Sequence, residues 1–184
     1  MIVIKLGGSL DKSNALLRCL NTVEQRYQGR AVVIVPGGGD FADQVRYAQK
    51  RWHFDDHTAH AMAILAMQQM ALLFKGLKGN FAVAAGLDEI KSQLNQQKIV
   101  IWSPDGVELH HAGVTSSWDV TSDSLAAWLA GALSARELVL VKSAVIDANL
   151  SITELVEKGV LDKAFCHFTE QTAFKIKIIN QQDF

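Results

Sequence analysis

The chain has 184 residues, 49% hydrophobic and 20% charged, the balance of one globular domain and not of a disordered, collagen-like or disulfide-stapled chain. Lys and Arg number 18 against 19 Asp and Glu, a net charge of −1 that gives duplex nucleic acid no basic footprint. Cys19 and Cys166 form no C-x-x-C pair and Met1–Lys5 lacks the order of a secretory leader, so a cytoplasmic protein without nucleic-acid or membrane partners is expected.

In chain order, Ile2–Leu6 reads as a strand ending at Gly7-Gly8. Asn14–Gln28 carries Leu16, Leu17, Leu20 and Val23 at helical spacing. Ala31–Val35 is a continuous apolar run stopped by Pro36, the pattern of a strand covered on both faces. Asp40 is placed to cap a helix to about Lys50. Asp55 or Asp56 opens another, and its core stretch, His60 to Leu77, is interrupted by Gln68, Gln69 and Lys75, which makes it a buried helix and not a membrane span. Phe81–Ala84 and Lys98–Trp102 are strand candidates around a helix over Leu87–Asn95. Thr121 or Ser122 starts a helix through Leu133, Glu137–Val141 is a strand, Ser151 and Glu154 form a capping box, and Lys175–Ile179 alternates as a last strand. This alternation predicts an α/β fold, a three-layer αβα sandwich with a mainly parallel central sheet. Ligands of such sheets bind at the carboxyl ends of the strands.

Two glycine-rich loops stand at such ends. In Lys5-Leu6-Gly7-Gly8-Ser9 the backbone can approach an anion, with Lys5 as a point charge beside it; alone, the motif reads as an ordinary tight turn. Gly37-Gly38-Gly39 lies between an apolar strand and a helix, where an anion is favoured. Two such loops together are far less expected by chance than either one. The P-loop and dinucleotide fingerprints are both missing. A third segment, Trp118-Asp119-Val120-Thr121-Ser122-Asp123-Ser124, sets two carboxylates and three hydroxyls ahead of an Ala-rich helix. Capping by Thr121 or Ser122 explains part of it, leaving Asp119 or Asp123 to orient lysines or to hold Mg2+ through water.

Lys5-x-Gly7-Gly8-Ser9, then Val35-Pro36-Gly37-Gly38-Gly39, then Thr121-x-Asp123 before Ala126-Ala127 together resemble the amino acid kinase superfamily over essentially the whole chain. The helix around Asp56, His60 and Met67, with the run Ser117–Asp123, resembles a narrower branch, small kinases of one-carbon cofactor biosynthesis such as the aminomethylfuran phosphate kinases of methanofuran synthesis. The resemblance implies an ATP-dependent, Mg2+-using kinase. Lys5 would neutralise the transferring phosphoryl group, Gly7, Gly8 and Ser9 would hold ATP phosphates, Gly37, Gly38 and Gly39 would bind the acceptor's anionic end, and Asp123 would position the catalytic lysines. The family's late G-x-x-x-K segment has a match in Gly159–Lys163, making Lys163 a candidate second catalytic lysine. Lys142 competes with it, at a loop that reads Lys142-Ser143-Ala144-Val145-Ile146-Asp147 where the family writes Thr-Asp-Val; Lys142, Ser143 and Asp147 are its candidate nucleotide contacts.

Asp56, His60, Asp119 and Thr121 are assigned to a small-molecule phosphate acceptor, either an organic phosphomonoester or, alternatively, a carboxylate or nucleoside monophosphate. A non-catalytic anion-binding module is the non-enzyme alternative. His53, His57 and His60 share a helical spacing, yet no cysteine or distant ligand set completes a metal site. One domain over 1–184 is expected, with the acceptor part at about 1–115 and the nucleotide part at about 116–184. The chain is short beside the superfamily, and the reduction is expected after Val141. The apolar length of Ala59–Leu73 predicts a homo-oligomer.

Overall fold

The computed structural model describes residues 1–96, 98–147, 149–170 and 172–184. Six strands form one sheet: β1 (Ile2–Leu6), β2 (Val32–Pro36), β3 (Ala82–Ala84), β4 (Val100–Trp102), β5 (Glu137–Lys142) and β6 (Lys175–Asn180). Their order is β3-β4-β2-β1-β5-β6 and every pairing is parallel. β1 and β2 are buried at every position, as their unbroken apolar runs require when helices cover both faces.

The helices are α1 (Ala15–Arg26), α2 (Gly39–Trp52), α3 (Asp56–Leu77), α4 (Leu87–Asn95), α5 (Gly106–His111), α6 (Ser122–Ala132) and α7 (Ile152–Glu157), with a 3-10 turn at Gly8–Lys12. Alternate residues of β1 and β2 enter two separate cores. Ile2, Ile4, Leu6, Val32 and Ile34 pack with Leu16, Leu20 and Val23 of α1. Val3, Val33 and Val35 pack with Leu125, Ala126 and Leu129 of α6. This period of two, read by helices on opposite faces, is what makes the αβα sandwich. α3 serves both cores, with Ile64 and Met67 in one and Met70, Ala71 and Phe74 in the other.

The elements differ from the sequence reading mainly at their ends. α2 begins at Gly39, with Gly38 as its cap and Asp40 inside the first turn. Asp55, not Asp56, caps α3, its carboxylate accepting from Thr58 N at 2.7 Å. The short helix α5, capped by Asp105, has no counterpart among the expected elements. The Ser151–Glu154 capping box is present. No described helix is long and apolar enough to cross a membrane.

From β1 the chain moves to β2 on one side and later to β5 on the other. The carboxyl end of β1 is therefore the point where the sheet's winding reverses, and a crevice opens there.

Candidate active site

Lys5, Asp123 and Lys142 meet beside this crevice. Lys5 is the penultimate residue of β1, and its side chain shares the face of Val3, toward α6. Asp123 lies in the first turn of α6, and Lys142 is the last residue of β5. The Asp123 carboxylate receives Lys5 Nζ on Oδ1 at 2.8 Å and Lys142 Nζ on Oδ2. Lys5 is 4% exposed and Asp123 2%. Burial pushes the Asp123 carboxyl up, but the two ammoniums outweigh it and hold the group below the usual carboxylate range. Burial pushes Lys142 down, and the charge of Lys5 adds to that; Asp123 offsets part of it.

Lys163 lies outside this cluster. Its side chain is 79% exposed and pairs with Asp119 Oδ1 at 3.2 Å. The second lysine on Asp123 is Lys142, because the turn after α7 sends Asp162 inward and Lys163 outward. The sequence reading passed over Asp162, which stood beside the lysine that the spacing picked out. Asp162 Oδ2 accepts from the N–H groups of Thr121, Asp123 and Ser124 at 3.0–3.1 Å, and Oδ1 accepts from the Thr121 hydroxyl at 2.6 Å. α6 is thus capped by a carboxylate some 40 residues further on, and not by Thr121 or Ser122. Burial and the nearby charge of Asp123 push the Asp162 carboxyl up.

The glycine loops interlock. A Cβ on Gly8 would stand 2.5 Å from Gly39 N, and one on Gly37 would collide with Gly8 N. The close approach of backbone here is between the two loops themselves. Gly39 takes a φ of 54°, a conformation costly for other residues. The first-turn N–H of Asp40 is already bonded to Asp11 Oδ2 at 2.9 Å. On the other side of Gly8, the hydroxyls of Ser9 and Ser143 bond at 2.6 Å, tying the first loop to the end of β5.

A cleft of about 210 Å³ opens against these loops, lined in part by Gly8, Ser9, Gly38, Gly39, His60 and Thr121. Gly37, buried against Gly8, is not in its wall. The cleft also holds three side chains that the sequence did not single out: Lys12, Asp43 and Arg46. Arg46 lies 4.3 Å over the Trp118 ring and pairs with Asp43 at 3.1 Å, while Lys12 reaches Asp43 at 3.2 Å. These ion pairs are about half exposed, so they add little stability and leave both cations open to an anion. Their signal was helical spacing, since Asp43 and Arg46 follow Gly39 at steps of four and three.

His60 is 7% exposed, and its Nδ1 lies 3.2 Å from the Ser117 carbonyl. A carbonyl only accepts, so Nδ1 carries the proton; burial pushes the ring toward its neutral form. Asp56 does not line the cleft. It accepts from Gln49 Nε2 at 2.8 Å, and Gln49 Oε1 accepts from Trp118 Nε1 at 2.7 Å, so it touches the site only through Gln49. Asp119 is half exposed beside Lys163, and Asp147 accepts from Asn149; neither reaches the lysine cluster. Among the described residues no three His, Cys, Asp or Glu side chains gather as a metal site.

The sequence profile of the amino acid kinase family matches residues 1–148. Over 141 residues the chain is 30% identical to the [5-(aminomethyl)furan-3-yl]methyl phosphate kinase of Methanocaldococcus jannaschii, a match covering 76% of this chain and 64% of the other. The chain thus spans less than two thirds of that relative's length. The solved uridylate kinase of Archaeoglobus fulgidus superposes with a TM-score of 0.77 at 19% identity, over 99% of this chain and 92% of that one. An aspartate kinase from Synechocystis superposes with a TM-score of 0.72 at 15% identity, over 98% of this chain and 38% of its own. At these identities the structural likeness is one of fold.

Proposed function

The chain belongs to the amino acid kinase family, and from that premise we propose that it transfers the γ-phosphoryl group of ATP to a small organic phosphomonoester, giving a diphosphate. One observation carries the reading. Lys5 and Lys142 are clamped on a single buried carboxylate, Asp123, next to two glycine loops at the strand ends. Phosphoryl transfer asks a protein for little covalent chemistry; it asks for two anions held in line and their charge neutralised. Asp123 holds both ammoniums beside the strand ends, while the α6 N-terminus is already served by Asp162.

In this reading the nucleotide phosphates lie against Gly7, Gly8, Ser9, Lys142 and Ser143, and residues from about 116 onward form most of the nucleotide side. The acceptor phosphate occupies the cleft, against Gly38, Gly39, Lys12 and Arg46. Each oxygen of Asp123 is in an ion pair with a lysine, and those of Asp162 accept from the start of α6. Mg2+ would enter on the phosphates of ATP, where it supplies further charge neutralisation.

The acceptor's organic part has room beyond His60. A second cavity of about 290 Å³ shares His60 and Ile64 with the cleft and is lined by Val107, Leu109 and Val114, with no Lys, Arg, Asp or Glu in its wall. That extension has room for the ring of a compact phosphomonoester; the choice of an aminomethylfuran phosphate as its example rests on the 30% identical relative. We also propose that the protein is a homo-oligomer, from the exposed leucines of α3.

The test is transfer from MgATP to [5-(aminomethyl)furan-3-yl]methyl phosphate, UMP and a panel of carboxylates, followed by mass. A diphosphate from the furan substrate is expected, with kcat about 100-fold to 1000-fold lower in Lys142→Ala and little changed in Lys163→Ala. Transfer to carboxylates alone overturns the acceptor class, and no transfer to any acceptor overturns the kinase reading.

A further inference from the structure

Asp162 takes no part in the chemistry assigned above, yet more polar contacts with the site's framework converge on it than on any other side chain described here. Its carboxylate reaches over from the turn after α7 and accepts four hydrogen bonds, three from backbone N–H groups and one from the Thr121 hydroxyl. One of those N–H groups belongs to Asp123 itself. Asp162 contacts neither Lys5 nor Lys142, and it does not line the cleft.

From this arrangement we infer that Asp162 is a positioning residue for phosphoryl transfer: it pins the first turn of α6 and so fixes the Asp123 carboxylate between the two lysines. The inference rests on the kinase reading of the site. Its physical basis is geometric. Asp123 reaches Lys5 and Lys142 on different oxygens, so both ion pairs depend on where the α6 backbone begins and how that turn is rotated. Thr121 has extended backbone and makes no side-chain cap of its own. Without Asp162, the N–H groups of Thr121, Asp123 and Ser124 would lose their partner. The carboxylate acts on charge as well. Lys142 faces Asp123 from α6, Lys5 from β1 and Asp162 from the turn after α7, and the negative charge of Asp162 helps keep Lys142 protonated against burial and against Lys5.

The arrangement also ties a late segment to the site. Residue 162 lies outside the 148 residues matched by the family profile, and the backbone of Ala164 donates to the Asp119 carbonyl at 3.0 Å, bracing the same junction. The turn around residues 159–165 therefore serves the site through its aspartate.

The experiment compares wild type with Asp162→Asn and Asp162→Glu, using MgATP and [5-(aminomethyl)furan-3-yl]methyl phosphate as probes. Asn has the size of Asp but turns one acceptor into a donor and removes the charge; Glu keeps both acceptors. Circular dichroism and melting first establish that each variant is folded at the assay temperature. Asp162→Asn is expected to lose about 100-fold in kcat, the scale of a small misplacement of reacting groups, with KM for ATP changed less than about threefold. Its alkaline limb moves to lower pH, because Lys142 loses a negative neighbour. Amide exchange at Asp123 and Ser124 speeds up in the unliganded protein. Asp162→Glu recovers part of the lost kcat.

A folded Asp162→Asn with wild-type kcat and an unmoved alkaline limb overturns the inference and leaves the kinase reading standing. A fall in rate that only follows the folded fraction, with the limb unmoved, also overturns it, since that is the behaviour of a structural cap. Should wild type itself transfer nothing to any acceptor, the kinase reading fails and the positioning role fails with it.

Discussion

Asp123 is the most constrained side chain of the site: a carboxylate 2% exposed, balanced between two cations that sit in the interior because it does. Such a group stabilises the fold less than its contacts suggest, since desolvation offsets attraction, but removing it leaves buried charge uncompensated. Asp123→Ala is therefore expected to destabilise the protein by about 3–5 kcal/mol, measured by urea unfolding at pH 7. The pH dependence follows from the direction of its shift. The native group titrates below the ordinary carboxylate value, so its contribution is complete above the unfolded pKa of about 3.9 and is lost as pH falls through the depressed native value. The gap in stability between wild type and Asp123→Ala should thus hold from pH 7 to about 5 and narrow only in stronger acid. A gap that closes near neutrality would mean that Asp123 is not held ionised by the lysines.

At the scale of elements, the same residue type plays opposite parts. Gly37 and Gly8 sit where the ends of β1 and β2 press together, so that a Cβ on Gly37 runs into the Gly7–Gly8 backbone. Gly131 lies in α6 with open space around it. Gly37→Ala is expected to lower the melting temperature and abolish stabilisation by ATP. Gly131→Ala should instead raise stability by about 0.5–1 kcal/mol, the helix propensity difference, and leave ATP binding intact. The strands and helices were legible because apolar runs and helical spacing report burial directly. Lys5, the glycine loops and Asp123 were legible as a set, through their order along the chain and its resemblance to the kinase superfamily, since the first loop alone reads as an ordinary turn. Lys142 was legible only as an alternative, since spacing along the chain does not tell which lysine lies on a strand that points inward. Asp162 was illegible: an aspartate 40 residues from the helix that it caps leaves no local pattern. Asp119 stood open beside Asp123 in sequence, and only packing separates a surface carboxylate from one enclosed by lysines.

Over the whole molecule, four of the exposed leucines among the described residues lie on one helix. α3 buries Ile64, Met67, Met70, Ala71 and Phe74 in the two cores, yet Leu65 and Leu72 on its outer side are 55% and 66% exposed, with Leu73 and Leu77 beside them. Leu65 and Leu72 are seven residues apart and so lie on one line along the helix; Leu73 and Leu77, four apart, lie on a second line about 100° round from Leu72, with the exposed Gln69 between the two. Apolar side chains scattered singly on a surface need no explanation, but four exposed leucines on one 22-residue helix are the ground for the homo-oligomer proposed above. In a homo-oligomer the commonest arrangement is a two-fold pair, in which the same patch faces itself. α3 suits it, because a line of leucines along a helix is self-complementary when two such helices cross. The wild-type protein is accordingly expected to sediment as a dimer at micromolar concentration, and Leu72→Glu as a monomer, since two carboxylates brought to the centre of an apolar contact repel and lose hydration. Leu72 is exposed in the single chain, so the substitution leaves both cores untouched, and the monomer should stay folded by circular dichroism. The first half of α3 carries His60 into the cleft wall, and the leucines follow on the same helix. If pairing steadies α3, the monomeric variant will show a raised KM for the phosphate acceptor with kcat for bound substrate little changed. A wild type that sediments as a monomer, or a Leu72→Glu protein that remains dimeric, would place the interface elsewhere or nowhere.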